Sequence, residues 1–151
     1  MPAWLGVDHG IKRIGIAVGN TEDCIACPLE VIDSGSDPGR IHARVHALVS
    51  QYDIVGVVVG WPLNMDDSEG DQGRMAREFA VTLAETENLD VRLWDERLSS
   101  FQADEYTAGR MSAGRRRACR DAMAASVILE EFLSNEGPER APGAKENRCE
   151  N

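Results

Sequence analysis

The stretch Leu5-Gly-Val-Asp-His-Gly-Ile-Lys-Arg-Ile-Gly-Ile-Ala-Val18 decides how the rest of the chain is read. Leu5–Asp8 and Arg13–Val18 are short and β-prone, and the four residues His9-Gly10-Ile11-Lys12 separate them, so the pair reads as a hairpin. Asp8 closes the first strand. Cys27–Asp33 suits a third strand, and Ser34–Gly39 is dense in turn residues, with Asp37 and Pro38 in the pattern of a helix N-cap and first helical position. Helical spacing of Ile41, Val45, Leu48 and Val49 then predicts a helix over Ile41–Gln51.

Ile54–Val59 is a continuous, largely β-branched run, the pattern of a strand covered on both faces. A polar loop, Gly60–Asp71, leads to a helix ending near Glu87, with apolar positions at 75, 76, 79, 80 and 83. Val91–Trp94 reads as a further strand. A helix near Ser100–Ala108, a Gly/Arg-rich loop at Gly109–Arg117 and a final helix over Cys119–Leu133 follow. A hairpin meander followed by β-α-β units predicts a mixed five-stranded α/β sheet with helices on both faces. The domain is expected over residues 1–134, with 135–151, rich in Gly, Pro, Glu and Asn, as a flexible C-terminal tail.

The 151 residues are enough for one domain with its own core, and 42% hydrophobic content with mixed charge fits a globular protein. No apolar run approaches the ~20 residues that cross a bilayer. The start carries no signal-peptide pattern, so a cytoplasmic protein without a membrane partner is expected. Cys24 and Cys27 form a CxxC without a second pair at matching spacing, and they read as small residues in and beside a strand. A formal net charge of −10 argues against loose coating of nucleic acid. The basic residues are unevenly placed, however: Arg110, Arg115, Arg116, Arg117 and Arg120 gather in one stretch and Lys12-Arg13 in another.

Three carboxylates stand at positions that matter. Asp8 and Asp95 each end a strand, and in open α/β sheets ligands collect beyond the carboxyl ends of parallel strands. Asp121 precedes Ala125, Ile128, Leu129 and Phe132 at helical spacing, on the apolar stripe. An ionised carboxylate there is costly without a partner, and a cation shared with Asp8 and Asp95 would supply one. Hard oxygen ligands suit Mg²⁺ or Mn²⁺, as one ion or two set about 3.5–4 Å apart, for phosphodiester hydrolysis by an activated water. Taken singly, each aspartate is equally readable as a turn or helix cap.

Four ordered motifs then carry a resemblance. Asp8-His-Gly-Ile-Lys-Arg-Ile-Gly15, Gly60-Trp-Pro-Leu-Asn-Met65 with Glu69-Gly70, Asp95-Glu-Arg-Leu-Ser99, and Asp121-Ala-Met-Ala-Ala125 with Ile128-Leu129 resemble those of the YqgF/RuvX family. The resemblance implies a ribonuclease-H-like fold and a divalent-metal nuclease whose acidic site falls on Asp8, Asp95 and Asp121. Its implied roles are 5′ maturation of pre-16S ribosomal RNA or resolution of branched DNA junctions. His9, Trp61 and Glu130 depart from the family pattern without touching the three aspartates.

Glu96 can substitute as a metal ligand, although strand alternation turns it away from Asp95's direction. Lys12, Arg13, Arg97, Arg115, Arg116 and Arg117 are candidate phosphate contacts, and Asn64 either meets substrate or closes a turn. His42 and His46, four apart on a helix, lack a third ligand and read as an exposed polar face. The expected partners are precursor rRNA or branched DNA, with ribosomal precursor particles, and the protein as a monomer or homodimer. A junction resolvase would favour the homodimer. A non-catalytic ribosome-assembly factor is the rival from another class. A two-lobed actin-like ATPase would need a longer chain and a second phosphate hairpin.

Overall fold

The computed structural model describes residues 2–33, 35, 37–96 and 113–144, with the side chains of 113–121 and 140 outside that description. Five strands form one sheet: β1 (Ala3–His9), β2 (Arg13–Asn20), β3 (Ala26–Asp33), β4 (Ile54–Trp61) and β5 (Asp90–Asp95). Their order across the sheet is β3-β2-β1-β4-β5. The first three pair antiparallel as a meander, while β1, β4 and β5 run parallel. This is the mixed sheet that the hairpin and the β-α-β pattern predict.

Helices α1 (Pro38–Gln51) and α2 (Asp71–Glu87) cover one face. Leu5, Val7, Ile14, Ile16, Val57, Val59, Val91 and Leu93 meet Ile41, Val45, Leu48, Phe79 and Leu83 there. Pro38 starts α1 because its fixed φ suits a first helical position. Asn88, left-handed at φ 54°, ends α2.

Helix α3 (Ala113–Ser134) covers the other face, where Trp4, Ala17 and Val58 meet Ala125, Ile128, Leu129 and Phe132. It begins six residues before the expected Cys119. The expected loop therefore ends no later than residue 112, and Arg115–Arg117 stand in the first turns of a helix. Arginine is a good helix former, and one glycine, Gly114, costs only about 1 kcal/mol relative to alanine. The expected helix at Ser100–Ala108 lies outside the described residues.

Helix α3 sits unusually close to β1. A Cβ on Gly6 would stand 2.7 Å from Leu129 Cβ and 2.8 Å from the Ala125 carbonyl oxygen. Only glycine permits this approach, and it fixes the height of α3 above the strand that ends in Asp8.

The chain after Ser134 differs from the expected tail as far as residue 144. A short helix, α4 (Gly137–Arg140), leads into a segment laid along the free edge of β5. The Leu93 amide donates to the Pro142 carbonyl at 3.0 Å, and Arg92 bridges to Gly143. Ala141 and Ala144 are buried, one in each core. Composition missed this because small residues and prolines also suit a strap that covers a strand edge. Residues 145–151 lie outside the described residues.

Candidate active site

Parallel β1, β4 and β5 deliver their carboxyl ends to one edge of the sheet. Val7 pairs with Val59, and Trp61 with Asp95, so Asp8, Gly60 and Asp95 are brought to neighbouring positions. Side chains alternate along each strand. Trp4 and Gly6 face α3, which places Asp8 on the α3 side, while Leu5 and Val7 face α1 and α2.

In β5 the alternation separates the two acids. Leu93 lies in the α1/α2 core, whereas Trp94 packs edge-on against Phe132 of α3, ring centroids 6.0 Å apart. Asp95 follows Leu93 in parity, and Glu96 follows Trp94. Glu96 accordingly reaches Asp8: the two carboxyl groups share a hydrogen bond. Asp95 acts on Glu96 through its charge.

Glu96 also explains Gly60. A Cβ there would stand 2.5 Å from Glu96 Oε1 and 2.7 Å from Ile128 Cδ1. The carboxyl group of Glu96 thus lies over bare backbone, between the end of β4 and helix α3. Burial, the charge of Asp8, the hydrogen bond with Asp8 and the charge of Asp95 together push its pKa up to about 8. At neutral pH and without a cation, Glu96 holds the proton and donates it to Asp8.

The register between β1 and α3 locates position 121. The Trp4 ring lies 4.9 Å from that of Phe132, and Gly6 meets Leu129 and Ala125. The helix therefore runs antiparallel to the strand. Two more strand residues advance about 6.6 Å, equal to some four helix residues at about 1.5 Å each. That brings the backbone near Asp121 alongside Asp8; the Asp121 side chain lies outside the described residues. Among the described residues no three acidic, His or Cys groups form a ready metal site. Asp8 and Glu96 supply two hard oxygen donors that repel each other, a set suited to Mg²⁺ or Mn²⁺ once a third carboxylate joins.

The surroundings are stiff. Glu69 accepts from Arg77 Nε at 2.8 Å, Arg77 Nη2 at 3.0 Å and Trp61 Nε1 at 2.9 Å. Arg77 foremost, with Trp61, lowers the Glu69 pKa against a partial penalty from burial. This clasp ties the end of β4 to α2 and closes the loop between them. Asn64 closes a turn here, its Nδ2 donating to Ser68 Oγ at 2.9 Å and its backbone amide to the Ser68 carbonyl at 2.8 Å. Met65 at that loop's tip is 89% exposed.

Gln72 donates to the His9 carbonyl, fastening α2 to the end of β1. His9 and His42 both contact Phe79, at 4.9 and 5.6 Å between ring centroids. Burial lowers the His9 pKa. His42 is thus turned half inward, contrary to the exposed face expected of it, while His46 pairs with Glu87 at 2.8 Å. Cys24 packs partly into the α3 core and Cys27 is exposed on β3.

Lys12 and Arg13 stand in the β1–β2 hairpin at the same edge as Asp8, Lys12 exposed and Arg13 half-buried. Arg97, and the side chains of Arg115, Arg116 and Arg117, fall outside the described residues. Among the described residues no helix is long and apolar enough to cross a membrane. Sequence reading did not find the Glu69–Arg77–Trp61 clasp or the roles of Gly6 and Gly60. A signal for the glycines was present: Gly6 lies two residues before Asp8, and Gly60 follows the apolar run of β4 directly.

A family described as RuvX, Holliday junction resolvase, matches residues 2–135. A protein of Pelotomaculum thermopropionicum named "Putative pre-16S rRNA nuclease" is 40% identical over 143 residues, covering 93% of each chain. Proteins of the same name from Lachnospira eligens and Bacillus thuringiensis are 36% and 38% identical, covering 87% of this chain and 96% and 97% of theirs. Among solved structures, Thermus thermophilus RuvC in complex with a Holliday junction substrate aligns with TM-score 0.57 at 18% identity, covering 95% of this chain and 99% of that one. A second structure of Thermus thermophilus RuvC aligns at 0.55 and 19%, covering 93% and 99%. These two establish the ribonuclease-H-like fold.

Proposed function

We propose, from the premise that this chain belongs to the RuvX family, that it is an endonuclease hydrolysing phosphodiesters at the carboxyl edge of its sheet. The observation that carries the reading is the meeting of Asp8 and Glu96 over Gly60, beside the charge of Asp95 and the stretch of α3 that bears Asp121. Mutually repelling carboxylates held together by a rigid frame are a poor structural device and a good cation cradle.

Asp8, Glu96 and Asp121 would hold Mg²⁺ or Mn²⁺, with Asp95 biasing Glu96 electrostatically or joining as a further ligand. The cation, when bound, activates water and offsets charge on the leaving oxygen. Within the chain itself, Asp8 accepts a hydrogen bond from protonated Glu96 in the metal-free state, and Gly60 leaves room for the Glu96 carboxyl. The burial that raises Glu96 also excludes water from its inner side. Lys12 and Arg13, with Arg97, Arg115, Arg116, Arg117 and Asn64, are the candidates for contact with the nucleic-acid strand, phosphate contacts fixing its position.

The substrate assigned is the 5′ flank of pre-16S rRNA, supported by the names of relatives that match nearly the full chain. Work on that substrate would take place in the cytoplasm, on ribosomal precursor particles, by a monomer or a homodimer. The family's description favours one second reading, cleavage of branched DNA.

Side-by-side cleavage of labelled precursor RNA and a four-way DNA junction, by wild type and Asp8→Asn with Mg²⁺, Mn²⁺ or EDTA, tests both. Metal-dependent cutting lost in Asp8→Asn is expected, and the preferred substrate names the role. Cutting that survives Asp8→Asn would refute the site, and no cutting at all would favour an assembly factor.

A further inference from the structure

The described cations are used unequally. Arg44, Arg77 and Arg92 are paired with Glu30, Glu69 and Asp90 at 2.6, 2.8 and 2.7 Å, and Arg74 lies 3.7 Å from Asp71. Lys12 and Arg40 form no ion pair among the described residues, and both are exposed. They open onto one continuous depression.

One cavity of about 620 Å³ lies beside the β1–β2 hairpin, lined by Lys12, Arg13, Val31 and Asp33 among others. A second, of about 610 Å³, shares Val31 and Asp33 and continues to Arg40 and Arg44 on α1. The two meet around the unpaired side of β3, the outermost strand of the sheet. Among the described residues four cations face two carboxylates in this groove, within a chain of net charge −10. Both carboxylates are engaged: Glu30 accepts twice from Arg44, and Asp33 accepts the Gly35 amide at 2.8 Å.

The groove begins at the hairpin that follows Asp8, and β3 lies two strand spacings from β1, about 10 Å. Among the described residues neither cavity is lined by an aromatic ring, so they offer bases nothing to stack upon. Ile11, 75% exposed at the mouth, offers only an apolar contact.

We propose that this groove carries a single-stranded flank of the substrate away from the cleavage point, holding its phosphates without reading its sequence. The inference rests on the nuclease reading above. It adds a second contact zone, centred on Arg40, that the acidic site does not require.

The test compares a short duplex substrate with the same duplex bearing a single-stranded extension of about ten nucleotides, within the usual span of such binding sites. Full-length wild type, Arg40→Ala and Arg40→Lys are assayed for kcat and KM across a salt series. Binding of the fluorescent extension alone is followed by anisotropy. For wild type the extension is expected to lower KM and leave kcat unchanged. Arg40→Ala is expected to abolish most of that gain and to shallow the salt slope by about 0.7 for each phosphate it no longer neutralises. Arg40→Lys keeps the charge and most of the gain. An extension without benefit in wild type, or a benefit untouched by Arg40→Ala, overturns the groove while cleavage of the plain duplex leaves the nuclease intact. Failure of wild type to cut any nucleic acid would instead remove the nuclease reading, and the groove with it.

Discussion

Replacing Gly6 with alanine tests whether the height of α3 sets the site. The added methyl group would stand 2.7 Å from Leu129 Cβ and 2.8 Å from the Ala125 carbonyl oxygen. Carbon atoms settle at about 3.5–4.0 Å, so α3 must rise by about 1 Å or tilt by an equivalent amount. Neither neighbour is the end of a flexible side chain, and local rotation offers no relief. Overpacking of this kind costs about 1–3 kcal/mol, or about 2–12 °C in Tm for a chain of this size. The displaced helix bears Asp121, and a misplacement of about 1 Å in a catalytic frame costs about 100-fold in rate. The control is Leu48→Ala on α1, fully buried in the opposite core and expected to lose about 2–5 kcal/mol. Melting by circular dichroism and cleavage well below either Tm give the two readouts. Gly6→Ala should lose about two orders of magnitude in cleavage, and Leu48→Ala, despite its larger loss of stability, little. Equal cleavage losses, or a Gly6→Ala protein that melts early but cuts at the wild-type rate, would refute the reasoning.

Three further outcomes are expected. Gly60→Ala places a methyl group 2.5 Å from Glu96 Oε1 and 2.7 Å from buried Ile128 Cδ1, both of which must shift; stability should fall by about 1–3 kcal/mol, while Mn²⁺ affinity by calorimetry falls, and unchanged affinity would remove Glu96 from the ligand set. In EDTA, Glu96 is raised from 4.5 to about 8 in the fold, so the unfolded chain releases this proton first and stability should fall as pH rises from about 5 to 8. Glu96→Gln should flatten that part of the Tm-versus-pH curve, and Mn²⁺ should raise Tm more at pH 8 than at pH 5.5; an identical pH profile in the mutant would exclude Glu96 as the group responsible. Ending the chain after Ser134 uncovers the edge of β5 and removes buried Ala141 and Ala144; urea unfolding should show a lower midpoint and light scattering more association, and an unchanged midpoint would make residues 135–144 an ornament.

The sheet was legible because its signals are local. Ile54–Val59 is apolar throughout and sits between two strands with helices on both faces. The hairpin around Gly10 has strands on either side that differ by only a residue or two from their expected limits. The start of α3 was not legible, because Gly114 and a run of arginines carry no apolar period, and the arginines' helical propensity was outweighed by their look as a charged loop. The strap at 141–144 was hidden for the opposite reason: its burial depends on an edge of β5 supplied from far away in sequence. In the candidate site, the place of Asp8 at the end of β1 was legible from the hairpin. The choice between Asp95 and Glu96 could not be made from the spacing, since it depends on which face of β5 meets α3. Trp94, packed on Phe132, puts Glu96 on the α3 face of β5, and Phe132 is 38 positions away in the chain.

The same small residues serve the fold and the chemistry. Trp4, Gly6 and Asp8 share one side of β1, and Val58 and Gly60 share that side of β4. Toward the carboxyl end of each strand, that side carries a glycine, Gly6 on β1 and Gly60 on β4. Large residues there would hold α3 off the sheet and fill the space that Glu96 occupies. Their absence lets the helix descend and the carboxyl group lie against backbone, which removes water from it and raises its pKa. A closely packed sheet edge and an under-neutralised acidic cluster are therefore one construction. On the proposed reading, a bound cation would displace the proton that Glu96 holds against Asp8 in the metal-free protein, so metal binding would be coupled to proton release and strengthen as pH rises. On the same reading, the net charge of −10 is compatible with a nucleic-acid substrate: the charge nearest the scissile phosphate would be set by a bound cation and by Lys12 and Arg13, not by the chain's total.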